Sequence, residues 1–209
     1  MRDPQPTSAP STAGRRASAR ADAARNRRKI LDTAAQIVDG HGPETMTMNQ
    51  VAQASGIGVG TVYRHFGDLA QLLWALLDEQ DRQFQEEYLS GPSPRPGAAA
   101  TQRQHVFLDA LVDHVVEQRA IRLAAQKAGP GAQYASGAYV AMHSHLTLLN
   151  SQARPGANAA LLAHLLLALF SPCLIHHLSV EQQLSVAELK KGIRQLLSFP
   201  GIVETPSTL

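Results

Sequence analysis

Apolar residues recur along this chain at intervals of three and four, and nowhere alternate over the length of a strand. Ile30, Leu31, Ala34, Ile37 and Val38 share one helical face, and Leu69, Leu72, Leu73, Leu76, Leu77 and Phe84 share another. Val106, Phe107, Ala110, Leu111 and Val115 make a third stripe; Val186, Leu189, Ile193, Leu196 and Leu197 make a fourth. Breakers separate them: Gly40 and Gly42, the Pro- and Gly-rich run Ser90 to Gly97, Gly129-Pro130-Gly131, Arg154-Pro155-Gly156 and Pro200-Gly201. This periodicity predicts an all-α chain of about nine helices. Two are short, at about 48–54 and 59–66. Asp68 is positioned to cap the helix that follows them, and Ser185 with Glu188 has capping-box spacing for the last. The apolar helix expected over about 157–178 should kink at Pro172.

The 209 residues suffice for one large domain or two modest ones, and the one cysteine, Cys173, leaves no internal disulfide or cysteine-based zinc cluster. The first thirty residues lack an apolar core, and the longest near-apolar run, Leu161 to Ile175, is shorter than the ~20 residues of a membrane span. A soluble cytoplasmic protein without a membrane partner is expected. Through Lys29 there are eight basic residues against two acidic ones, a net +6 that leaves −4 for the remainder. A basic end on a mildly acidic body fits a polyanionic partner, and also fits a solvated tail. The divisions expected are a disordered basic tail over 1–22, a compact unit over 23–67, a larger helical domain over 68–200, and a tail over 201–209.

The segment Thr45 to Phe66 carries most of the functional information. Thr47 can cap a short helix whose inner face is Val51 and Ala52. Gly56 permits the sharp turn that two steeply crossing helices require. Val62 and Phe66 turn the second helix inward, leaving Val59, Gly60, Thr61, Tyr63, Arg64 and His65 largely outward. Thr and Val can touch thymine methyls, Arg can fork onto guanine, and Tyr and His can reach phosphate oxygens. An ordinary helical hairpin with a solvated polar face has the same pattern.

The order Val-Ala-x-x-x-Gly-Ile-x-x-Gly-Thr-Val-Tyr-Arg-His-Phe, with an amphipathic helix before it and a leucine-striped one after, closely resembles the TetR/AcrR family of bacterial regulators. The match covers Lys29 to Leu73; the rest agrees in length and helix pattern. The resemblance implies an N-terminal three-helix domain with a helix-turn-helix, joined to a C-terminal ligand-binding and dimerisation domain. Val59, Gly60, Thr61 and Arg64 would lie near bases, Tyr63 and His65 near phosphates, with Thr47, Met48 and Asn49 at the start of the preceding helix. Gly58 stands where a capping Ser is usual, Asn49 where a basic residue is frequent, and Leu69 where a Lys often meets phosphate. The Arg-rich segment from Arg15 to Arg28 could compensate by gripping the adjacent backbone or minor groove.

The resemblance also implies a homodimer on a palindromic double-stranded DNA operator, released by a small-molecule effector. Its interface would use the last two helices, with Leu162, Leu166, Phe170, Leu189, Ile193 and Leu196. Effector contacts are sought among the aromatic and polar residues of the middle helices: Trp74, Phe107, His114, Tyr139, Met142 and His143, with Phe84, Tyr88, Arg122 and Tyr134 near them. No phosphate loop, nucleophile elbow or zinc signature occurs, so no catalytic residue, metal or cofactor is expected. His143 and His145 point to nearly opposite sides of a helix. Cys173 with His176 and His177 reads as core and helix-end chemistry rather than a metal site. An all-α carrier or enzyme without specific DNA binding, and a sequence-independent DNA binder, remain as other readings.

Overall fold

A computed structural model of the protein describes residues 12–90, 99–126 and 132–198. Ten α-helices run in the order α1 (Thr12–His41), α2 (Met48–Ser55), α3 (Val59–Phe66), α4 (Leu69–Ser90), α5 (Ala100–Glu117), α6 (Arg119–Ala125), α7 (Gly137–Ala153), α8 (Ala159–Ala168), α9 (Pro172–His176) and α10 (Val186–Leu197). A 3-10 turn (Ala132–Ala135) precedes α7, and a π turn (His177–Glu181) follows α9. No strand occurs among the described residues.

Two departures from the expected elements have clear causes. α1 begins at Thr12, so residues 12–22, expected as disordered tail, are helical. Alanine and arginine are strong helix formers, and this stretch continues a helix whose other half is anchored in the core. The helix expected over 157–178 is two helices meeting at 43°. Pro172 does not kink a continuous helix. It sits in the first turn of α9, where its missing N–H costs nothing, behind the cap Ser171. The linker at Ser90 to Gly97 falls almost wholly outside the described residues, as do Gly129-Pro130-Gly131 and Pro200-Gly201.

The apolar side chains form two clusters. The first joins Ile30 and Ala34 of α1, Val51 of α2, Val62 and Phe66 of α3 and Leu72 to Leu77 of α4, then recruits Ile121 and Ala125 of α6. This core thus continues past residue 67 into α4 and α6. The second cluster holds Phe107 to Val115 of α5, Met142 to Leu149 of α7, Leu166 and Phe170 beside α8, and Leu189 and Leu197 of α10. Gln104 donates to Asn150 at 2.7 Å, and Asn150 donates to the Ala159 carbonyl at 3.1 Å, so these two buried side chains are paired across α5, α7 and α8. Lys190 donates to Asp113 at 2.6 Å, and Arg194 pairs with Asp109, which holds α10 along α5.

Among the described residues only α4 runs through both clusters: Leu72, Leu73, Leu76 and Leu77 lie in the first, and Phe84 packs on the second. No single helix among the described residues is long and apolar enough to cross a membrane.

Candidate nucleic-acid interface and effector cavity

The short helix α2 is defined at both ends. The Thr47 hydroxyl accepts from the Gln50 N–H at 3.2 Å, and the Gln50 side chain accepts from the Thr47 N–H at 2.9 Å, a complete capping box. At the other end Gly56 adopts φ 64°, a left-handed conformation costly for any side chain, and Ile57 N–H donates to the Ala52 carbonyl at 3.1 Å. α3 follows after Gly56, Ile57 and Gly58. Its cap position, Gly58, offers no side-chain acceptor, so the first turn of α3 has free N–H groups.

α3 presents two unlike faces. Val62 and Phe66 are buried, whereas Val59, Gly60, Tyr63 and Arg64 are exposed and Thr61 and His65 half-buried. Tyr63 is 48% exposed although aromatic. A Cβ added at Gly58 or Gly60 would meet nothing within 4 Å, so no contact within the protein demands glycine at either position. Thr47 and Asn49 are exposed at the start of α2. Met48 is a correction: it is only 4% exposed and belongs to the core cluster, because the first turn of α2 points that side chain inward. Leu69 also packs against the core and is half-buried, so the position expected to lack a phosphate contact serves the apolar stripe.

Asp68 caps α4 as expected, accepting from Gln71 N–H at 2.8 Å. Two turns beyond the core residue Leu73, Asp81 is only 4% exposed and receives hydrogen bonds from His114 at 2.6 Å and from Arg122. The carboxylate thus ties α4 to α5 and α6, and the ring of Phe84 stacks on His114 at 4.3 Å. Arg122 also donates from Nε and Nη2 to Gln118, while Nη1 has no acceptor among the described residues.

A cavity of about 110 Å3 lies against this node, at the junction of the two core clusters. Trp74 and Asp81 of α4, Leu111 and Val115 of α5, Arg122 of α6, Tyr139 and Met142 of α7, and Leu167 and Phe170 beside α8 enclose it, with Tyr134 at its edge. Trp74, Tyr139 and Met142 are thus brought together as expected, with Arg122 and Tyr134. Phe107 is instead core. His114 reaches the cavity only through Asp81, and His143 sits outside it, donating from Nε2 to the Ala160 carbonyl at 3.1 Å. The Tyr88 side chain lies outside the described residues. Sequence reasoning passed over Asp81, although an acid eight residues after Leu73 on a leucine stripe marks a charge facing the core.

The expected dimer residues divide. Leu166, Phe170 and Leu189 are buried in the chain's own second cluster, which corrects their assignment to an interface. Their faces of α8 and α10 turn toward α5 and α7. Leu162 and Ile193 are half-buried, and Leu196 is 42% exposed. The apolar residues that α8 does present are Leu161, 51% exposed, and Leu165, 56% exposed.

A capped helix, a left-handed turn and a second helix with a polar outer face, carried on a larger helical body, define a helix-turn-helix protein. Residues 30–76 match the family described as bacterial regulatory proteins, tetR family. An HTH-type transcriptional regulator of Staphylococcus aureus strain bovine RF122 / ET3-1 is 36% identical over 78 residues, 34% of this chain and 42% of that protein. Another, from strain USA300, is 41% identical over 58 residues, 28% of this chain and 31% of that protein. The chain thus spans under half the length of these curated relatives. The whole fold is that of solved regulators. Bacillus subtilis FadR in complex with stearoyl-CoA has a TM-score of 0.60 at 15% identity, covering 81% of this chain and 96% of that one. AibR in complex with isovaleryl coenzyme A and operator DNA has 0.53 at 18%, covering 82% and 97%.

Proposed function

We propose that this protein is a ligand-responsive transcriptional regulator acting in the cytoplasm, a repressor that binds a palindromic operator as a homodimer and is released by a small-molecule effector. It needs no catalytic step and no cofactor. The observation that carries the reading is α3: a helix held by a capped partner and a left-handed turn, with Val59, Gly60, Thr61, Tyr63, Arg64 and His65 turned outward. Arg64 supplies the bidentate donor for guanine, Thr61 and Val59 the methyl contacts, and Tyr63 and His65 the phosphate contacts. The free N–H groups at the start of α3 add an anion-binding end.

The cavity supports the effector half of the reading. By comparison with an engineered 150 Å3 cavity that takes benzene, about 110 Å3 has room for a group of benzene size or below. Its walls are mainly apolar, and its polar lining includes Arg122, Gln133, Ser136 and Trp74, whose indole N–H has no hydrogen-bond partner among the described residues. A compact effector with an acceptor group fits that lining. Regulators of the same fold bind acyl-coenzyme A molecules, and here the acyl end of such a ligand must be short to fit without movement of the walls. An occupant that competes for Arg122 loosens Asp81 and thereby moves α4, the element shared with the DNA-binding core. The exposed Leu161, Leu165 and Leu196 supply an apolar surface for a twofold partner.

Selection of bound fragments from genomic DNA tests the proposal. One enriched palindrome, with half-sites on the order of 34–36 Å apart or somewhat more, is the expected result. Enrichment of no common sequence overturns it.

A further inference from the structure

The Asp81–Arg122 pair is buried but not saturated. Asp81 is only 4% exposed, yet the hydrogen bonds it receives from His114 and Arg122 both fall on Oδ1. Arg122 uses Nε and Nη2 on Gln118 and Asp81. Among the described residues, Oδ2 of the carboxylate and Nη1 of the guanidinium therefore carry no hydrogen bond. Both residues line the cavity, and polar groups at a buried site call for partners. Because Nη2 is bonded to Oδ1, the remaining acceptor and the remaining donor belong to one node.

The charge at this node is already balanced. Among the described residues no other Lys, Arg, His, Asp or Glu lines the cavity. Asp78, one turn earlier on α4, stays outside the lining, and burial together with the Asp81 charge pushes its carboxyl above the ordinary carboxylate range. An anionic occupant would have to draw Arg122 away, leaving a buried carboxylate with His114 alone. A cationic one would lie beside a guanidinium, facing a carboxylate whose charge Arg122 has neutralised. An apolar one satisfies neither free atom. An uncharged group that both donates and accepts satisfies the two together, and a hydroxyl or a primary carboxamide is such a group.

We infer that the effector is an uncharged molecule whose hydroxyl or primary carboxamide docks on the Asp81–Arg122 pair, donating to Asp81 Oδ2 and accepting from Arg122 Nη1. This rests on the reading of the cavity as the effector site. The apolar end, of benzene size or below, lies against Leu111, Met142 and Phe170. Asp81 is then the residue that sets specificity, because its charge on Arg122 is what turns acids away.

The test uses probes with as many non-hydrogen atoms as benzene, in matched pairs: isobutyramide against isobutyrate, and cyclopentanol against cyclopentylammonium. Each is titrated calorimetrically into the full chain at fixed pH and salt. Isobutyrate should bind about 100-fold more weakly than isobutyramide, or not measurably, the factor set by taking one partner from a buried ion pair. Cyclopentanol should bind about 10-fold or more tightly than methylcyclopentane, which has its size and no polar group. It should also bind more tightly than cyclopentylammonium. Asp81→Asn releases the Arg122 charge and should invert the first preference, so that isobutyrate binds better than isobutyramide and raises the melting temperature of the variant. Circular dichroism checks that the variant folds, and the wild-type series decides by itself if it does not. A charged probe that binds the wild type as tightly as its uncharged counterpart overturns the inference. So does a wild-type chain that takes up neither uncharged polar probe, or a folded Asp81→Asn variant that still prefers the amide. Operator selection is measured separately. If the chain selects an operator and ignores these probes, only the inference fails; if it selects none, the regulatory reading fails whatever the probes do.

Discussion

Two glycines and one ion pair make the sharpest statements at the scale of single residues. Gly60 is exposed on α3, and a side chain there would touch no part of the protein. Glycine in a helix costs up to about 1 kcal/mol relative to alanine, so its presence asks for a reason outside the fold. A duplex approaching the α3 backbone is such a reason. Gly60→Ala should therefore raise stability by up to about 1 kcal/mol in urea unfolding and at the same time weaken operator binding. An alanine variant that binds normally would place the DNA elsewhere. Gly56 is the opposite case: its φ of 64° means that Gly56→Ala strains the turn and destabilises the domain. Deep in the body, removing Arg122 leaves the Asp81 carboxylate, 6% exposed, with His114 as its one remaining side-chain partner among the described residues. Arg122→Met should cost on the order of 3–5 kcal/mol in chemical denaturation, while Asp81→Leu with Arg122→Met should recover most of it.

Helices and turns show where a reading of residues suffices and where it does not. The stripe of Leu72, Leu73, Leu76 and Leu77, the turn at Gly56 and the caps Thr47, Asp68 and Ser185 depend on neighbours within one turn, and all lie where the local pattern puts them. Thr47→Ala should cost about 1 kcal/mol of domain stability, measured by thermal unfolding, by opening one side of the capping box. Leu69→Lys, which local pattern alone would count as a gained phosphate contact, should instead lower the melting temperature, because Leu69 packs on the core. For Leu166, Phe170 and Leu189, buried in the chain's own core, the difference from the expected interface has one shared reason. A helix greasy on several sides does not say which side its own chain will cover; that depends on how α5, α7, α8 and α10 dock. The cavity is half legible in the sequence, where the aromatic and polar pattern of the middle helices points to Trp74, Tyr139 and Met142. Their convergence on Asp81 and Arg122 depends on contacts 41 residues apart in sequence.

At the scale of the molecule, α4 joins one core to the other, and the cavity sits on the seam. Effector and operator must then influence each other by equal factors, so operator DNA should weaken effector binding as much as effector weakens operator binding. Trp74, the single tryptophan, lines the cavity, so its fluorescence reports occupancy in such titrations. Dimer formation should be lost on replacing Leu161 and Leu165 by arginine, with each chain still folded, as sedimentation and circular dichroism can establish together. His145 contributes acid sensitivity: burial, with a smaller contribution from Arg103, holds it below the ordinary histidine value of about 6.5. The unfolded chain then binds the proton more readily than the folded one, so stability falls as pH drops below about 6.5 toward the lowered folded value. His145→Leu should flatten the decline in melting temperature between pH 7 and 5.

The central claim is that α3 reads sequence, and an equilibrium competition tests it most directly. The selected operator is measured against the same duplex with both half-sites scrambled, at fixed salt. A preference of about 1,000-fold or more, which Arg64→Ala reduces by roughly 1–3 kcal/mol per contact, is the predicted result. Equal affinity for the two duplexes would contradict the account.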